Sequence, residues 1–234
     1  MNAHALLALQ DIDTAMTAVA NRAARVPERA AVASARDALM AHRAAMAAAE
    51  ADITAAGERI DLADSQSGVL STKRARLEGQ LKTVIAPREA EALMHEIEGL
   101  DAQSALLDDE ELEAMEAQAA AEAVLAGLTA GLPAVEESLA AAEAALSAVL
   151  ATLDAESSEL SARRAEAVAA LDAAELATYD RARAQFGGVG IARLQGHRCE
   201  GCHLDLTPAE IDTVKATPEG ALAECPQCSR YLVR

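Results

Sequence analysis

Four cysteines stand in two pairs near the C-terminus, Cys199-Glu200-Gly201-Cys202 and Cys225-Pro226-Gln227-Cys228, with 22 residues between the pairs. Two thiolates separated by two residues can turn onto one ion, and two such pairs close a tetrahedral sphere around Zn2+. The metal holds all four as thiolates by lowering their pKa. Four sulfurs leave no open position, so the expected zinc is structural and not catalytic. Gly201 offers the first pair the conformational freedom of a tight turn. Cys199 to His203 also spells the haem-attachment pattern CxxCH, and a lone CxxC can be a redox pair in a βαβ setting. Neither alternative explains the second pair. His197 and His203 flank a site already filled by sulfur and are expected beside it or on the surface.

The elements that must carry these knuckles begin after Gly187-Gly188-Val189-Gly190, where heptads give way to short alternating segments. Residues 187–234 are expected to form a small β-rich zinc ribbon. Leu204-Asp205-Leu206 and Tyr231-Leu232-Val233 read as strands, and Ala221-Leu222-Ala223 leads into the second knuckle. Thr207-Pro208-Ala209-Glu210 reads as a capped helix start, with Pro208 at the first position and Glu210 closing a capping box. So small a module has little core of its own, and structural zinc contributes on the order of 10–16 kcal/mol to comparable fingers.

Residues 1–186 are expected to form a coiled-coil helical hairpin. The 234 residues include 61 alanines and three aromatics, Tyr179, Phe186 and Tyr231. Aromatic side chains supply much of the buried area of a globular enzyme. A chain rich in Ala, Leu, Glu and Arg instead favours long helices packed closely. Leu9, Ile12, Met16, Val19, Ala23 and Val26 alternate at three and four, as an a/d seam does. Pro27 breaks that register, because it lacks an N–H and clashes with the preceding turn. Val32, Leu39, Met46, Ile53 and Ile60 then recur every seven residues, with Ala35, His42, Ala49, Ala56 and Ala63 three places on. Thr83-Val84-Ile85-Ala86-Pro87 marks the hairpin turn near 84–87. The return arm carries Leu93, Ile97, Leu100 and Leu107, then Leu125, Leu128, Leu132, Val135, Leu139, Leu146, Val149, Leu153 and Leu160. Gly127, Gly131 and Pro133 predict a kink in it. The fold class is therefore mostly α, a long kinked antiparallel hairpin followed by the ribbon.

Charge is distributed unevenly. The formal net charge is −18. Residues 1–90 are neutral, with 11 basic and 11 acidic side chains, whereas residues 91–186 hold 4 and 21. A basic cluster, Lys73, Arg74, Arg76, Lys82 and Arg88, surrounds the turn, and an acidic block, Asp108, Asp109, Glu110, Glu111 and Glu113, follows on the return arm. Both read as solvated helix surface or as partner-binding surface. The acidic balance opposes non-specific binding to nucleic acid or an anionic membrane. No uninterrupted apolar run reaches about 18 residues, so no membrane span is expected. The first residues carry no basic stretch of a secretory signal, which predicts a cytoplasmic protein. No Gly-rich phosphate loop, nucleophile–base pair or paired-histidine helix is present, so neither an enzyme activity nor a small-molecule substrate is expected.

The two knuckles, the closing Arg230-Tyr231-Leu232, and Arg88-Glu89-Ala90-Glu91-Ala92-Leu93 with Glu96-Ile97-Glu98 and Leu107-Asp108-Asp109-Glu110 resemble a bacterial family, the C4-type zinc ribbon domain proteins of the coiled-coil hairpin type. Ser229 stands where that family usually has Gly. The resemblance implies an adaptor: relatives act in flagellar biogenesis, as a chaperone of an alternative sigma factor, in transcript binding and in type III secretion. The leading expectation is a protein-binding adaptor or chaperone. The alternative is nucleic-acid binding through the hairpin tip or through Arg193, Arg198, Lys215, Arg230 and Arg234 of the ribbon.

Overall fold

Polar side chains and prolines set the helix boundaries. Asn2 accepts the Ala5 N–H at 3.1 Å and opens α1 (Ala3–Ala24). Pro27 separates α1 from α2 (Glu28–Leu81), and Pro87 opens α3 (Pro87–Ala169) after the turn. These breaks fall where the sequence placed them. The computed structural model describes residues 1–218 and 220–234. Two compact units divide the chain, residues 1–29 with 144–234, and residues 30–143. Residue 187, the expected domain boundary, lies inside the first unit, where the ribbon's first strand packs on α1 and on a short helix, α4 (Ala173–Gln185).

In the second unit α2 and α3 pair antiparallel. Ion pairs Arg36–Glu143, Arg43–Glu136 and Arg74–Asp101 fix the register along their flanks. Ala49, Ala56, Ala63 and Ala114 are buried, while Leu39, Met46 and Ile53 are only half-buried. The alanine side of the seam is thus the more enclosed, because a methyl group lets the backbones approach until nothing else fits. α3 runs unbroken through Gly127, Gly131 and Pro133. His42 lies opposite, with Nε2 donating to the Leu128 carbonyl at 2.7 Å and its ring 3.5 Å from where a Cβ on Gly131 would be. The seam histidine thus adds a hydrogen bond to the Leu128 carbonyl, next to the Thr129 carbonyl that Pro133 leaves without its helical N–H. α3 contains a stretch apolar enough by length and composition to cross a membrane, though not an uninterrupted apolar run, and only 6% of it is buried.

In the first unit Ile12, Val19 and Val26 of α1 pack on Leu153 and Leu160 of α3. Two buried polar residues of α1 add to this seam. Asp13, 2% exposed, accepts from Tyr179 Oη at 2.6 Å and from Arg164 Nε at 2.7 Å, and pairs with Arg183 at 3.0 Å. Gln10 donates to the Gly188 carbonyl at 2.8 Å and accepts from the Gly190 N–H at 2.9 Å. The sequence expectation carries the hairpin to residue 186. α3 instead ends at Ala169, and Asp172 and Glu175 form a reciprocal capping box that starts α4.

The ribbon is a four-stranded sheet ordered β2-β1-β4-β3, from β1 (Ile191–Gln195), β2 (Arg198–Cys199), β3 (Ala223–Glu224) and β4 (Tyr231–Val233). β1 and β4 are parallel, and the two outer pairs are antiparallel. Leu204-Asp205-Leu206 is not a strand, since Asp205 makes a single bridge to Arg198. α5 (Pro208–Lys215) has the expected Thr207–Glu210 capping box.

Removing Asp13 leaves two guanidinium groups and a buried phenol without their anion. The guanidiniums are partly exposed and can turn to water, but the buried phenol loses its acceptor; an orphaned buried donor costs about 1–3 kcal/mol, so Asp13→Ala should lower stability to urea by roughly that amount. Burial, and then donation to Asp13, raise the Tyr179 pKa above its ordinary 10.0. The folded state keeps this proton where the unfolded chain loses it. Its contribution is therefore full below pH 10 and falls as pH rises above it. Urea titrations of wild type and Tyr179→Phe should diverge below pH 10 and converge above it.

Candidate metal centre

Both knuckles are built alike. In the first, the His203 N–H bonds the Cys199 carbonyl and the Cys199 N–H bonds the Leu204 carbonyl, at 2.8 and 3.1 Å. In the second, the Ser229 N–H bonds the Cys225 carbonyl and the Cys225 N–H bonds the Arg230 carbonyl, both at 2.8 Å. Each loop thus closes with the same pair of backbone bonds, 26 residues apart in the chain. Each also needs a left-handed residue directly after its second cysteine: His203 has φ 60 and Ser229 φ 61. The conformational freedom assigned to Gly201 belongs to these positions. Gly201 is required for a different reason, because a Cβ there would lie 2.8 Å from Arg230 Cδ and 3.0 Å from Ala192 Cβ.

The four sulfurs lie within 4.8 Å of one another. Ligands at about 2.3 Å from a tetrahedral zinc stand about 3.8 Å apart, so the cluster needs little contraction to hold the ion. Cys199 and Cys225 are buried against Leu206, Val214 and Leu232, while Cys202 and Cys228 are half-buried. Burial pushes the Cys225 thiol up to about 12 and raises Cys202. Burial acts on Cys228 in the same direction, but the Arg230 N–H and guanidinium, with the neighbouring thiols, bring it down to about 7. All-sulfur donors of this kind suit zinc, which would hold them as thiolates and join the two loops. The four cysteines form one structural zinc site.

A profile of the CT398-like coiled coil hairpin domain matches residues 9–187, and one of the C4-type zinc ribbon domain matches residues 198–232. The chain belongs to the CT398-like coiled-coil hairpin family. An uncharacterized protein of Mycobacterium tuberculosis is 32% identical over 231 residues, spanning 98% of this chain and 94% of the relative. Among solved structures, a Mycobacterium smegmatis protein aligns with a TM-score of 0.83 at 23% identity, covering 99% of this chain and 97% of its own. CT398 of Chlamydia trachomatis aligns at 0.77 and 22% identity, covering 98% and 95%. HP0958 of Helicobacter pylori aligns at 0.59 and 16%, covering 98% and 96%. These structural likenesses show the fold. The CT398-like family is a structural coiled-coil family and not a known enzyme family.

Three of the five ribbon cations assigned to nucleic acid have internal partners. Arg230 donates to the Val189 carbonyl at 2.8 Å and lies 5.3 Å over the Phe186 ring. Arg234 donates to the Lys215 and Thr217 carbonyls at the end of α5. Arg193 pairs with Asp11 of α1. Arg198 and the Lys215 ammonium have no side-chain partner among the described residues. At the turn, Arg74 pairs with Asp101 and Glu78, while Lys73, Arg76, Lys82 and Arg88 have no ion-pair partner among the described residues. Within the acidic block Asp108, Asp109, Glu110 and Glu113 are exposed, but Glu111 is half-buried at a seam position. Sequence reasoning missed Gln10, Asp13, Arg164, Arg183 and Tyr179. The signal was there: Gln10 and Asp13 stand beside Leu9 and Ile12 of the α1 seam, where solvated residues are not expected.

Metal analysis should find one zinc per chain, lost in Cys199→Ser. Ser229→Gly relieves a left-handed side chain, a strain of about 1 kcal/mol. It should raise the ribbon's resistance to a zinc chelator several-fold, and an unchanged midpoint would contradict the knuckle geometry.

Proposed function

We propose that this CT398-like protein is a non-enzymatic adaptor or chaperone-like protein of the cytoplasm. It captures partner proteins on the helical hairpin and uses the zinc ribbon as a second contact. The observation that carries this reading is the outer surface of α3 around the acidic block. Asp108 and Asp109 are exposed without ion-pair partners among the described residues, and Leu106, Leu112 and Met115 beside them are exposed large aliphatic side chains. Such a mixture of negative charge and apolar area complements a basic amphipathic segment, which gains charge attraction and burial together. The nucleic-acid alternative loses ground in the ribbon, because arginines committed to carbonyls and carboxylates are poor contributors to counterion release. It keeps the unpaired cations at the hairpin turn.

Affinity capture of the tagged protein from its own lysate, with and without nuclease, separates the two. Protein partners should survive nuclease. Asp108→Lys with Asp109→Lys should reduce their recovery about tenfold, equivalent to about 1.4 kcal/mol of binding. Partners that vanish with nuclease, together with co-purified RNA, would overturn the adaptor reading.

A further inference from the structure

An open groove of about 480 Å3 runs between α2 and α3 in the second unit, lined by Gln66, Val69 and Leu70 of one helix and by Gln103, Leu106 and Leu107 of the other. Val69 and Leu106 stand at one level of the hairpin, since Arg74 and Asp101, five residues nearer the turn on each helix, form an ion pair. Both are aliphatic side chains left in water, 52% and 64% exposed, and Leu62, one heptad before Val69, is 58% exposed. Leu70 and Leu107 beside them are only half-buried. The seam thus leaves an apolar strip uncovered along this side.

The two banks of the strip differ in sign. On α2, Arg59, Leu62, Gln66, Val69, Lys73 and Arg76 follow one another at spacings of three and four, and so share a face. On α3, Glu96, Gly99, Gln103, Leu106, Glu110 and Glu113 do the same. Every charge on the first face is positive and every charge on the second is negative. None of the six has an ion-pair partner among the described residues, and the pairs that cross between the two helices use Arg36, Arg43 and Arg74 instead. A ligand of one sign therefore meets repulsion. A polyanion is opposed by the α3 bank and a wholly basic peptide by the α2 bank. A second copy turned about a two-fold axis across the groove would lay like charge on like.

An α-helix lying along the groove turns one flank of its apolar stripe to α2 and the other flank to α3. We propose that the groove is a docking site for an amphipathic helix of a partner protein. Acidic residues on one flank of that helix meet Arg59, Lys73 and Arg76, and basic residues on the other meet Glu96, Glu110 and Glu113. Its apolar stripe covers Leu62, Val69 and Leu106 and makes a third strand of the coiled coil over this stretch. From Arg59 to Arg76 the α2 face is about 25 Å long, which matches a helix of about 18 residues. Reversing a helix exchanges its flanks, so the charge pattern also sets the direction in which the partner runs. This site deepens the adaptor reading and rests on it. The lysate capture that tests the adaptor turns on Asp108 and Asp109, which lie on neither face, so failure of one is distinguishable from failure of the other.

Fluorescence anisotropy on the zinc-loaded full chain in about 50 mM salt, where surface charge is weakly screened, provides the test. The probes are labelled synthetic helices of about 18 residues that share one leucine stripe and differ only in their flanks. One has an acidic and a basic flank, a second has these exchanged, a third is acidic on both and a fourth basic on both. The two mixed helices should bind about tenfold more tightly than either single-sign helix. A photo-cross-linker at the peptide N-terminus should attach near the turn for one mixed helix and near Arg59 for the other. Lys73→Glu with Arg76→Glu should move the preference to the helix with two basic flanks, and Glu110→Lys with Glu113→Lys to the one with two acidic flanks, each with unchanged helical circular dichroism. Wild-type protein that binds none of the four, or binds a single-sign helix best, overturns the proposal. So do preferences that stay the same in the charge-reversed variants, or mixed helices that cross-link at the same end.

Discussion

The Asp13 carboxylate is the point on which the first unit depends. It is buried, yet both oxygens are satisfied: Arg164 of α3 takes one, and Tyr179 and Arg183 of α4 take the other. A buried anion that loses these partners is costly, so the three helices are held to one mutual geometry by electrostatics as well as by packing. Three residues earlier on α1, Gln10 uses its amide to reach Gly188 and Gly190, the segment that leads into β1. Leu6 and Leu9 of the same helix pack with Ile191 and Val233 of the ribbon sheet. The position of the first ribbon strand is therefore inherited from α1. The zinc knuckles are one step further out, since β1 pairs with both β2 and β4, the strands adjoining them.

Arg230 links those knuckles to each other and back to α4. Its side chain crosses over Gly201 of the first knuckle, its N–H and guanidinium support the Cys228 sulfur of the second, and its charge lies over Phe186 at the end of α4. With one residue taking part in all three contacts, zinc need not orient the ribbon against the helices. Its task is to join two loops that otherwise hold one buried thiol each. This explains why a module with so few aromatics can carry two left-handed non-glycine residues in its loops: four metal–sulfur bonds outweigh strain of about 1–2 kcal/mol at each.

How much of this was legible in the sequence follows from the range of each interaction. The cysteine pairs, Pro27, Pro87 and the Thr207–Glu210 box act within a few residues, and each was placed correctly from the sequence. The seam was readable because its period repeats over many turns. The expected hairpin extends to residue 186, beyond the end of α3 at Ala169, although Asp172 and Glu175 spell the capping box that starts a new helix. Leu204 to Leu206 alternates like a strand, but Asp205 finds only one partner residue, and a strand exists through its neighbours. The Asp13 and Gln10 contacts join residues more than 150 positions apart, and nothing local marks Arg230 and Arg234 as donors to carbonyls distant in the chain. Long-range polar pairing leaves no periodic trace. Its one sequence mark is a polar residue beside a seam.

The alanine seam also decides where recognition can occur. Ala49, Ala56, Ala63 and Ala114 bring α2 and α3 close together, so the enclosed strip between them is narrow and the positions just beside it reach solvent. Val69 and Leu106 are among these, and line an open groove. Substitutions along such flanks change charge and shape without disturbing the seam, because the helix contacts rest on other residues. A hairpin built this way can keep its fold while its surface adapts to a partner. The cost is that the seam alone buries little area per turn, which the flanking ion pairs at Arg36, Arg43 and Arg74 supplement only modestly.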